Sequence, residues 1–246
     1  MINFFEYNLA ESLHDVETVI RERKPITPVV VSCLNPHSFV MALDDDAFRL
    51  SLVDSDILLP DGEGVCWAVK KKNGRRIKKI AGDDLHGFLI GKAEQTEPST
   101  LPNGRIYYMG SNDEVLEKIE RRIHDEHPSI DIKTYSPPFC DELSDDESMK
   151  IVDDINTFAP DVVFVGMGAP KQEKWTQRWS SKMEGVKVIA NIGAVFEFYS
   201  NTHKRAPKWM VSLKLEWLVR LVKEPKRMWR RVFVSTPKFV RHVYKQ

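Results

Sequence analysis

The sequence of 246 residues predicts an α/β fold: a Rossmann-like, mostly parallel sheet of about six strands flanked by helices, followed by a basic, amphipathic helical appendage. Three observations predict it. Six short runs are almost continuously apolar, as in strands that are buried on both faces of a parallel sheet. Helical patterns with recognisable starts lie between these runs. Residues 201–246 carry 13 Lys and Arg but only 2 Asp and Glu, although the formal net charge of the whole chain is zero.

Each predicted strand is an apolar run, rich in β-branched residues, that ends in turn-forming residues. The predicted strands are Pro28–Ser32, Asp56–Leu59, Arg105–Met109, Ile130–Tyr135, Asp161–Val165 and Val186–Ala190. Parallel strands need long crossover connections, and helical patterns fill the intervals between these runs. The alternation of strand and helix therefore predicts a Rossmann-like layered fold.

Polar residues mark the helix starts and account for most of the acidic clusters. Ser111–Glu114 form a polar cap before apolar positions that begin at Val115 with helical spacing. We interpret the Asp44–Asp46 run as solvated charge at the start of a helix from Ala47, where acidic residues suit the helix dipole, rather than as a metal motif. The acidic pairs at 83–84, 145–146 and 153–154 are interpreted as solvated faces or caps. Since no HExxH or similar pair occurs, we infer no catalytic metal and no cofactor.

The chain divides into an α/β core, residues 1–200, and a basic helical appendage, residues 201–246. In the appendage, one helix is predicted to start at Pro207 and to end before Pro225. Its apolar face comprises Met210, Leu213, Trp217 and Leu221. The segment that follows interleaves aromatic and basic residues, which suits the headgroup boundary of a bilayer. Its aromatic residues are Trp229, Phe233, Phe239 and Tyr244.

Composition and the N-terminal sequence suggest a cytoplasmic protein. With 42% hydrophobic residues the chain can bury a full core, but its apolar runs are far shorter than the roughly 20 residues that span a bilayer. The residues after Met1 do not form a secretory signal pattern. Cys33, Cys66 and Cys140 lack the paired spacing of a disulfide frame or zinc site. The basic appendage suits phospholipid headgroups, a diphosphate or a nucleic acid, and charge alone does not choose among them.

Ligands of open α/β sheets bind at the carboxyl ends of the strands, so the loops there carry the candidate chemistry. Gly166–Gln172 passes from strand to helix with two glycines, and Pro170 suits the first helical position. Its N–H groups form either a phosphate site or a plain strand-to-helix turn. Asp61 is either a turn residue or a general base for an attacking hydroxyl. Neither GxGxxG nor GxxxxGK[ST] occurs, which disfavours dinucleotide and P-loop sites.

Taken together and in order, the loop motifs resemble those of the WecG/TagA/CpsF family, glycosyltransferase family 26. The resemblance runs from about Val29 to the C-terminus. Its motifs are Asn35–Ser38, Leu59–Val65, Ala81–Leu85, Gly166–Glu173, Asn191–Ala194, Arg205–Trp209, Leu215–Trp217, Arg220–Leu221 and Glu224–Pro225. Several ordered motifs are more specific than any one of them.

The resemblance implies an inverting, metal-independent transfer of N-acetylmannosamine, its uronic acid or another hexose from a UDP-sugar. The acceptor would be an undecaprenyl-diphosphate-linked saccharide, used for teichoic acid, capsule or exopolysaccharide, at the inner face of the cell membrane. The resemblance makes Asp61 the catalytic base. The implied substrate-binding residues are Cys33, Asn35, Gly62, Lys79, Asp84, Gly166, Gly168 and Gln172, with Arg220, Arg227 and Arg230 holding the diphosphates.

Two residues depart from the family's pattern. Cys33 stands where the family often has Thr, and Lys79 stands where it commonly has Arg. Lys keeps the charge without the bidentate fork of Arg, and a thiol is a weaker hydrogen-bond donor than a hydroxyl, so the preferred donor sugar is expected to differ. The basic appendage leaves a rival open, a non-enzymatic nucleic-acid or membrane-binding module. The enzyme interpretation expects no nucleic-acid partner and leaves a homo-oligomer open.

Overall fold

A computed structural model describes residues 6–23, 27–95, 100–202 and 225–245. The strands are β1 (Val29–Leu34), β2 (Ile57–Pro60), β3 (Arg105–Gly110), β4 (Asp131–Tyr135), β5 (Val162–Gly166) and β6 (Val188–Asn191). The helices up to residue 202 are α1 (Leu13–Glu22), α2 (Pro36–Asp44), α3 (Asp46–Val53), α4 (Glu63–Asn73), α5 (Gly82–Ala93), α6 (Asp113–Glu126), α7 (Asp145–Phe158), α8 (Lys171–Trp179) and α9 (Ala194–Tyr199). After residue 225 the chain forms α10 (Pro225–Trp229), a π-helical turn (Arg230–Ser235) and α11 (Thr236–Lys245).

The six strands form one sheet in the order β2-β1-β6-β5-β3-β4, and every strand pair is parallel. This confirms the predicted fold class, and each predicted strand lies within two residues of an observed one. Strand β1 pairs with β2 on one side and with β6 on the other. The first and last strands along the chain therefore lie side by side within the sheet.

Both faces of the sheet are covered, which explains why the strands are almost continuously apolar. One face packs against α1, α5, α6 and α9 around residues such as Val31, Phe164 and Ala190. The opposite face holds two apolar clusters. One contains Leu34 and Leu58 with α2, α3, α4 and α11, and the other contains Tyr107 with α7 and α8.

Helix caps form where polar residues predicted them, but the interpretation of Asp45 as solvated charge needs a correction. Asn112 Oδ1 accepts a hydrogen bond from Val115 N at 3.0 Å at the start of α6. Asp45 caps α3 by accepting from Phe48 N at 3.0 Å. It is not merely solvated, however, because Lys174 Nζ on α8 lies 2.6 Å from Asp45 Oδ2. This hydrogen bond lowers the pKa of Asp45, so the acidic run helps to fix α8 against α3.

The described part of the basic appendage packs onto the core. Phe239 and Val243 of α11 are buried, and the Phe239 ring meets the Phe39 ring of α2 edge-on at 5.2 Å. The prediction that Phe239 faces a bilayer is therefore wrong. Phe239 and Val243 are four residues apart, so they lie on the same face of α11, and this face packs on the core. Trp229, Phe233 and Tyr244 are 59%, 49% and 63% exposed.

The predicted helix between Pro207 and Pro225 lies outside the described residues. In the ranges that the structure describes, the helices lack the combination of length and apolar character that crossing a bilayer requires.

Candidate functional site

Four candidate loops follow four consecutive strands of the sheet, β2, β1, β6 and β5. Asp61 follows β2, Asn35 follows β1, Gly193 lies two residues beyond β6, and the Gly166–Gln172 loop follows β5. Because parallel strands present their carboxyl ends at one edge, these loops share that edge. The loops that the sequence singled out are therefore neighbours in space.

The backbone holds Asp61 against the end of β1. Its N–H donates to Leu34 O at 2.9 Å and to Leu59 O at 2.8 Å. The next residue, Gly62, has φ +129°, a conformation that residues with a Cβ rarely adopt. Helix α4 then begins at Glu63. This turn presents a half-buried carboxyl group at the carboxyl edge of the sheet.

Cys33 links Asp61 electrostatically to a second acid, Glu173 on α8. Burial raises the pKa of the Cys33 thiol well above its usual value, and the negative charges of Asp61 and Glu173 raise it further. Both carboxyl groups therefore act on one thiol at the end of β1. A protonated thiol is a weak hydrogen-bond donor and not a nucleophile, which favours a binding role for Cys33.

Asn35 caps α2 and uses its carboxamide oxygen in doing so. Asn35 Oδ1 accepts from His37 N and Ser38 N, both at 3.0 Å, and Ser38 Oγ accepts from Asn35 N at 2.8 Å. The oxygen is thus committed to the helix start. What Asn35 can offer a ligand is its amide nitrogen, which donates.

The Gly166–Gln172 loop is a tight turn that its own side chains brace. Gly168 has φ +82°, and Pro170 lies at the cap before α8 rather than at the predicted first helical position. Gly168 N donates to Gln172 Oε1 at 3.0 Å. A Cβ added to Gly193 would lie 2.7 Å from the same oxygen, so the loops after β5 and β6 touch. One N–H group expected to face phosphate is therefore held by Gln172.

Lys79 and Asp84 lie in the segment that leads into α5. Ile80 N donates to Pro60 O at 3.2 Å, which brings the exposed Lys79 beside the end of β2. Asp84 Oδ2 accepts from Ala81 N at 2.8 Å and so caps α5. The residue types alone predicted this cap, and a role of Asp84 toward substrate stays a prediction.

The described C-terminal segment, residues 225–245, contacts the candidate site at the start of α2. His37 and Ser235 are hydrogen-bonded, and a Cβ added to Gly64 would approach Phe239 Cε1 at 3.7 Å. Arg230 is exposed in this segment. Arg220 and the side chain of Arg227 lie outside the described part of the chain.

Glu173 is the site residue that sequence reasoning missed. An acid in the first turn of a helix suits the dipole, so the helix-start pattern did not distinguish Glu173 from a solvated acid. The structure buries it to 3% exposure, and burial raises its pKa to about 7. Its Oε1 accepts from Gln172 Nε2 at 2.8 Å. The available signal was its place at the end of the Gly166–Glu173 motif, directly after Gln172.

A buried polar network fixes α8 beneath these groups. Asn191 Nδ2 donates to Ser32 Oγ at 2.9 Å, and Thr176 Oγ1 donates to Asn191 Oδ1 at 2.8 Å. Because the network joins β1, β6 and α8, it sets the position of Gln172 and Glu173 relative to β1. A fully satisfied buried network of this kind is rigid.

Comparison with known proteins identifies a family and several relatives. A model of the Glycosyl transferase WecG/TagA/CpsF family matches residues 1–246. A Bacillus subtilis (strain 168) protein named N-acetylglucosaminyldiphosphoundecaprenol N-acetyl-beta-D-mannosaminyltransferase is 33% identical over 217 residues, 88% of this chain and 79% of the relative. Proteins of the same name from Bacillus spizizenii (29% identical, covering 99% and 89%) and Staphylococcus aureus strain MW2 (24% identical, covering 93% and 85%) are also similar.

Proposed function

Because the chain belongs to the WecG/TagA/CpsF family of glycosyl transferases, we propose that it moves a sugar from a UDP-sugar to an undecaprenyl-diphosphate-linked saccharide. N-acetylmannosamine is the first candidate sugar and N-acetylglucosaminyldiphosphoundecaprenol the first candidate acceptor, since the relatives carry these groups in their names. The relatives are named as transferases, which favours an enzyme over the non-enzymatic binding module that the basic appendage left open.

The observation that carries the proposal is the position of Asp61. Its half-buried carboxyl group stands at the carboxyl edge of the sheet, beside Cys33 and next to the Asn35 loop. In the proposed step Asp61 removes the proton from the acceptor hydroxyl as that oxygen bonds to the anomeric carbon. The bond from this carbon to the UDP oxygen breaks in the same step, so the configuration inverts and UDP leaves. The step is proposed to need no metal ion.

Cationic side chains are proposed to take the place of a metal at the diphosphates. Lys79, beside the end of β2, and Arg230, in the C-terminal segment, are candidates among the described residues. Arg220 and Arg227 complete the proposed set from outside the described residues and side chains. Charge-assisted hydrogen bonds to phosphate oxygens would stabilise the leaving UDP and the acceptor diphosphate.

A lipid-linked acceptor requires the enzyme to work at a membrane surface. We place the protein peripherally at the inner face of the cell membrane, with residues 201–246 as the membrane-proximal part and residues 1–200 as the catalytic core. The exposed Trp229 and Phe233 rings lie 4.3 Å apart and are followed by Lys238, which fits the headgroup region.

Asp61→Asn tests the proposal. In an assay with UDP-N-acetylmannosamine and a prenyl-diphosphate N-acetylglucosamine acceptor, loss of the base should lower kcat by about 10²–10⁴-fold. The affinity for UDP-N-acetylmannosamine, measured by calorimetry, should stay within about twofold of the wild type, since the amide has nearly the same shape as the carboxyl group.

Asp146→Asn is the matched control, because Asp146 is exposed in the first turn of α7 and lies in none of the candidate loops. It should turn over at the wild-type rate. Wild-type turnover by Asp61→Asn would remove Asp61 from the role of base. A wild-type protein that binds no UDP-sugar would refute the proposed function itself.

A further inference from the structure

The two carboxyl oxygens of Glu173 differ in their surroundings. Oε1 accepts from Gln172 Nε2 at 2.8 Å. Oε2 is buried and has no hydrogen-bond partner among the residues that the structure describes. Burying an acceptor without a donor is unfavourable, and such groups in native proteins are satisfied by a ligand or an ordered water. Oε2 therefore marks a place where a donor is missing.

The position of Glu173 connects this oxygen with the candidate site. Glu173 lies in the first turn of α8, directly after the loop that follows β5. Its charge acts on the Cys33 thiol, on which the charge of Asp61 also acts. The ammonium group of the adjacent Lys174 donates to Asp45 Oδ2 at 2.6 Å and is therefore not the donor for Glu173 Oε2.

The chemistry of a carboxylate limits what can bind there. An ionised carboxylate only accepts hydrogen bonds, so its partner has to carry an O–H or N–H group. A diphosphate does not suit the ionised form, because it is negatively charged and offers only acceptors. The sugar of the substrate carries hydroxyl and amide donors, and it is the part of the molecule that has to lie close to Asp61.

We propose that Glu173 is a further sugar-binding residue of this site, whose Oε2 accepts a hydrogen bond from a hydroxyl or amide N–H of the sugar. The assignment rests on the proposed glycosyl transfer. Oε1 has a second function, since it fixes the Gln172 carboxamide. With Gln172 Oε1 bound to Gly168 N and one Nε2 hydrogen bound to Glu173, the second Nε2 hydrogen is the donor that Gln172 has left for the ligand. Glu173 and Gln172 thus bind the sugar together: Glu173 accepts a hydrogen bond from it, and Gln172 donates one to it.

The ionisation of Glu173 gives this assignment a distinctive pH dependence. Burial raises the pKa of Glu173 to about 7, and the hydrogen bond from Gln172 opposes this shift. A donor on the sugar stabilises the ionised form, so binding should tighten as the pH rises from 6 toward 8. The other titratable groups nearby are Cys33 on β1, Asp61 after β2 and the Lys174–Asp45 pair. They are retained in a Glu173 variant, so their effects cancel in the comparison with the wild type.

Calorimetry on the full chain with UDP-N-acetylmannosamine and with UDP alone at pH 6, 7 and 8 tests the assignment. Glu173→Gln should weaken UDP-N-acetylmannosamine about tenfold at pH 8 and remove the pH dependence, since a hydrogen bond to a charged group is lost. Its affinity for UDP should stay within about twofold of the wild type. Glu173→Asp keeps the carboxyl group and should retain the pH dependence with reduced affinity. Replacing UDP-N-acetylmannosamine by the lipid-linked acceptor separates a donor sugar from an acceptor sugar.

Asp161→Asn is the matched control, because Asp161 is a buried carboxyl group just before β5, at the opposite edge of the sheet. It should leave both affinities unchanged. Unchanged sugar affinity in folded Glu173→Gln overturns the assignment, and so does an equal loss of UDP and UDP-sugar, which is what a purely structural role produces. If Glu173→Gln does not fold, Glu173→Asp decides by the same two affinities. A Glu173→Gln protein that binds both the UDP-sugar and the lipid-linked acceptor as well as the wild type does overturns this assignment alone, whereas a wild type that binds no UDP-sugar overturns the proposed function too.

Discussion

His37 and Ser235, which are 198 residues apart in the chain, are hydrogen-bonded through His37 Nδ1 and Ser235 Oγ at 2.8 Å. His37 lies in the first turn of α2, two residues after Asn35 at the candidate site. Ser235 is the last residue of the π-helical turn that leads into α11. This contact, together with the Phe39–Phe239 ring pair, ties the C-terminal segment to the loop that follows β1.

Phe239→Ala should destabilise the protein by about 3–5 kcal/mol, because the ring is fully buried in the cluster shared by α2, α4 and α11. The free energy of unfolding in urea measures the effect. Phe233→Ala makes the same change in the same segment, at a side chain that is 49% exposed, and should cost less than about 1 kcal/mol. Similar losses for the two variants would show that α11 is not held on the core in this way.

Gly64→Ala should disturb the site without changing any polar group. A Cβ at Gly64 would lie 2.6 Å from Pro36 Cγ, and the proline ring is attached to Asn35. Relieving this overlap should cost about 1–3 kcal/mol of stability, and the shift of Asn35 should raise the KM for the UDP-sugar. Urea unfolding and steady-state kinetics measure the two effects.

Gly87→Ala is the control for this steric effect. Gly87 lies on α5, where an added Cβ has no heavy atom within 4 Å in the described structure. Since alanine favours a helix over glycine, this variant should gain about 0.5–1 kcal/mol and keep its KM. A Gly64→Ala protein as stable and as active as wild type would mean that Pro36 moves freely.

His86 should make the protein less stable in mild acid. Burial lowers the pKa of His86 from 6.5 to about 3, and the ring nitrogen Nε2 is hydrogen-bonded to Tyr108 OH at 2.7 Å. Between these two pKa values the unfolded chain binds a proton that the folded chain does not, so stability falls as the pH falls from about 6.5 toward 3. The loss is about 1.4 kcal/mol per pH unit.

Urea unfolding at pH 6.5 and pH 5 tests this prediction. In His86→Gln, which can still bond Tyr108, the drop between the two pH values should be about 2 kcal/mol smaller than in the wild type. His124→Gln removes an exposed histidine and should leave the wild-type drop in place. An equal drop in His86→Gln would show that His86 is charged in the folded protein.

The sequence by itself determined the sheet, its parallel strands and the loops at the carboxyl edge. These features follow from local patterns: a strand buried on both faces has to be apolar throughout, and the residues after parallel strands have to share an edge. Asp61, Asn35 and the Gly166–Gln172 loop were therefore identifiable without coordinates.

Only the tertiary structure decided which helix side chains face inward and what they meet. Glu173 and Phe239 look locally like a solvated helix acid and an interfacial aromatic, yet both are buried. Their environments depend on how α8 and α11 pack against strands and helices far away in the chain. Helical periodicity gives the spacing of a buried face but not the partner that covers it. The orphaned Glu173 Oε2 is buried by that packing, in which the Ser32–Asn191–Thr176 hydrogen bonds hold α8 against β6 and β1.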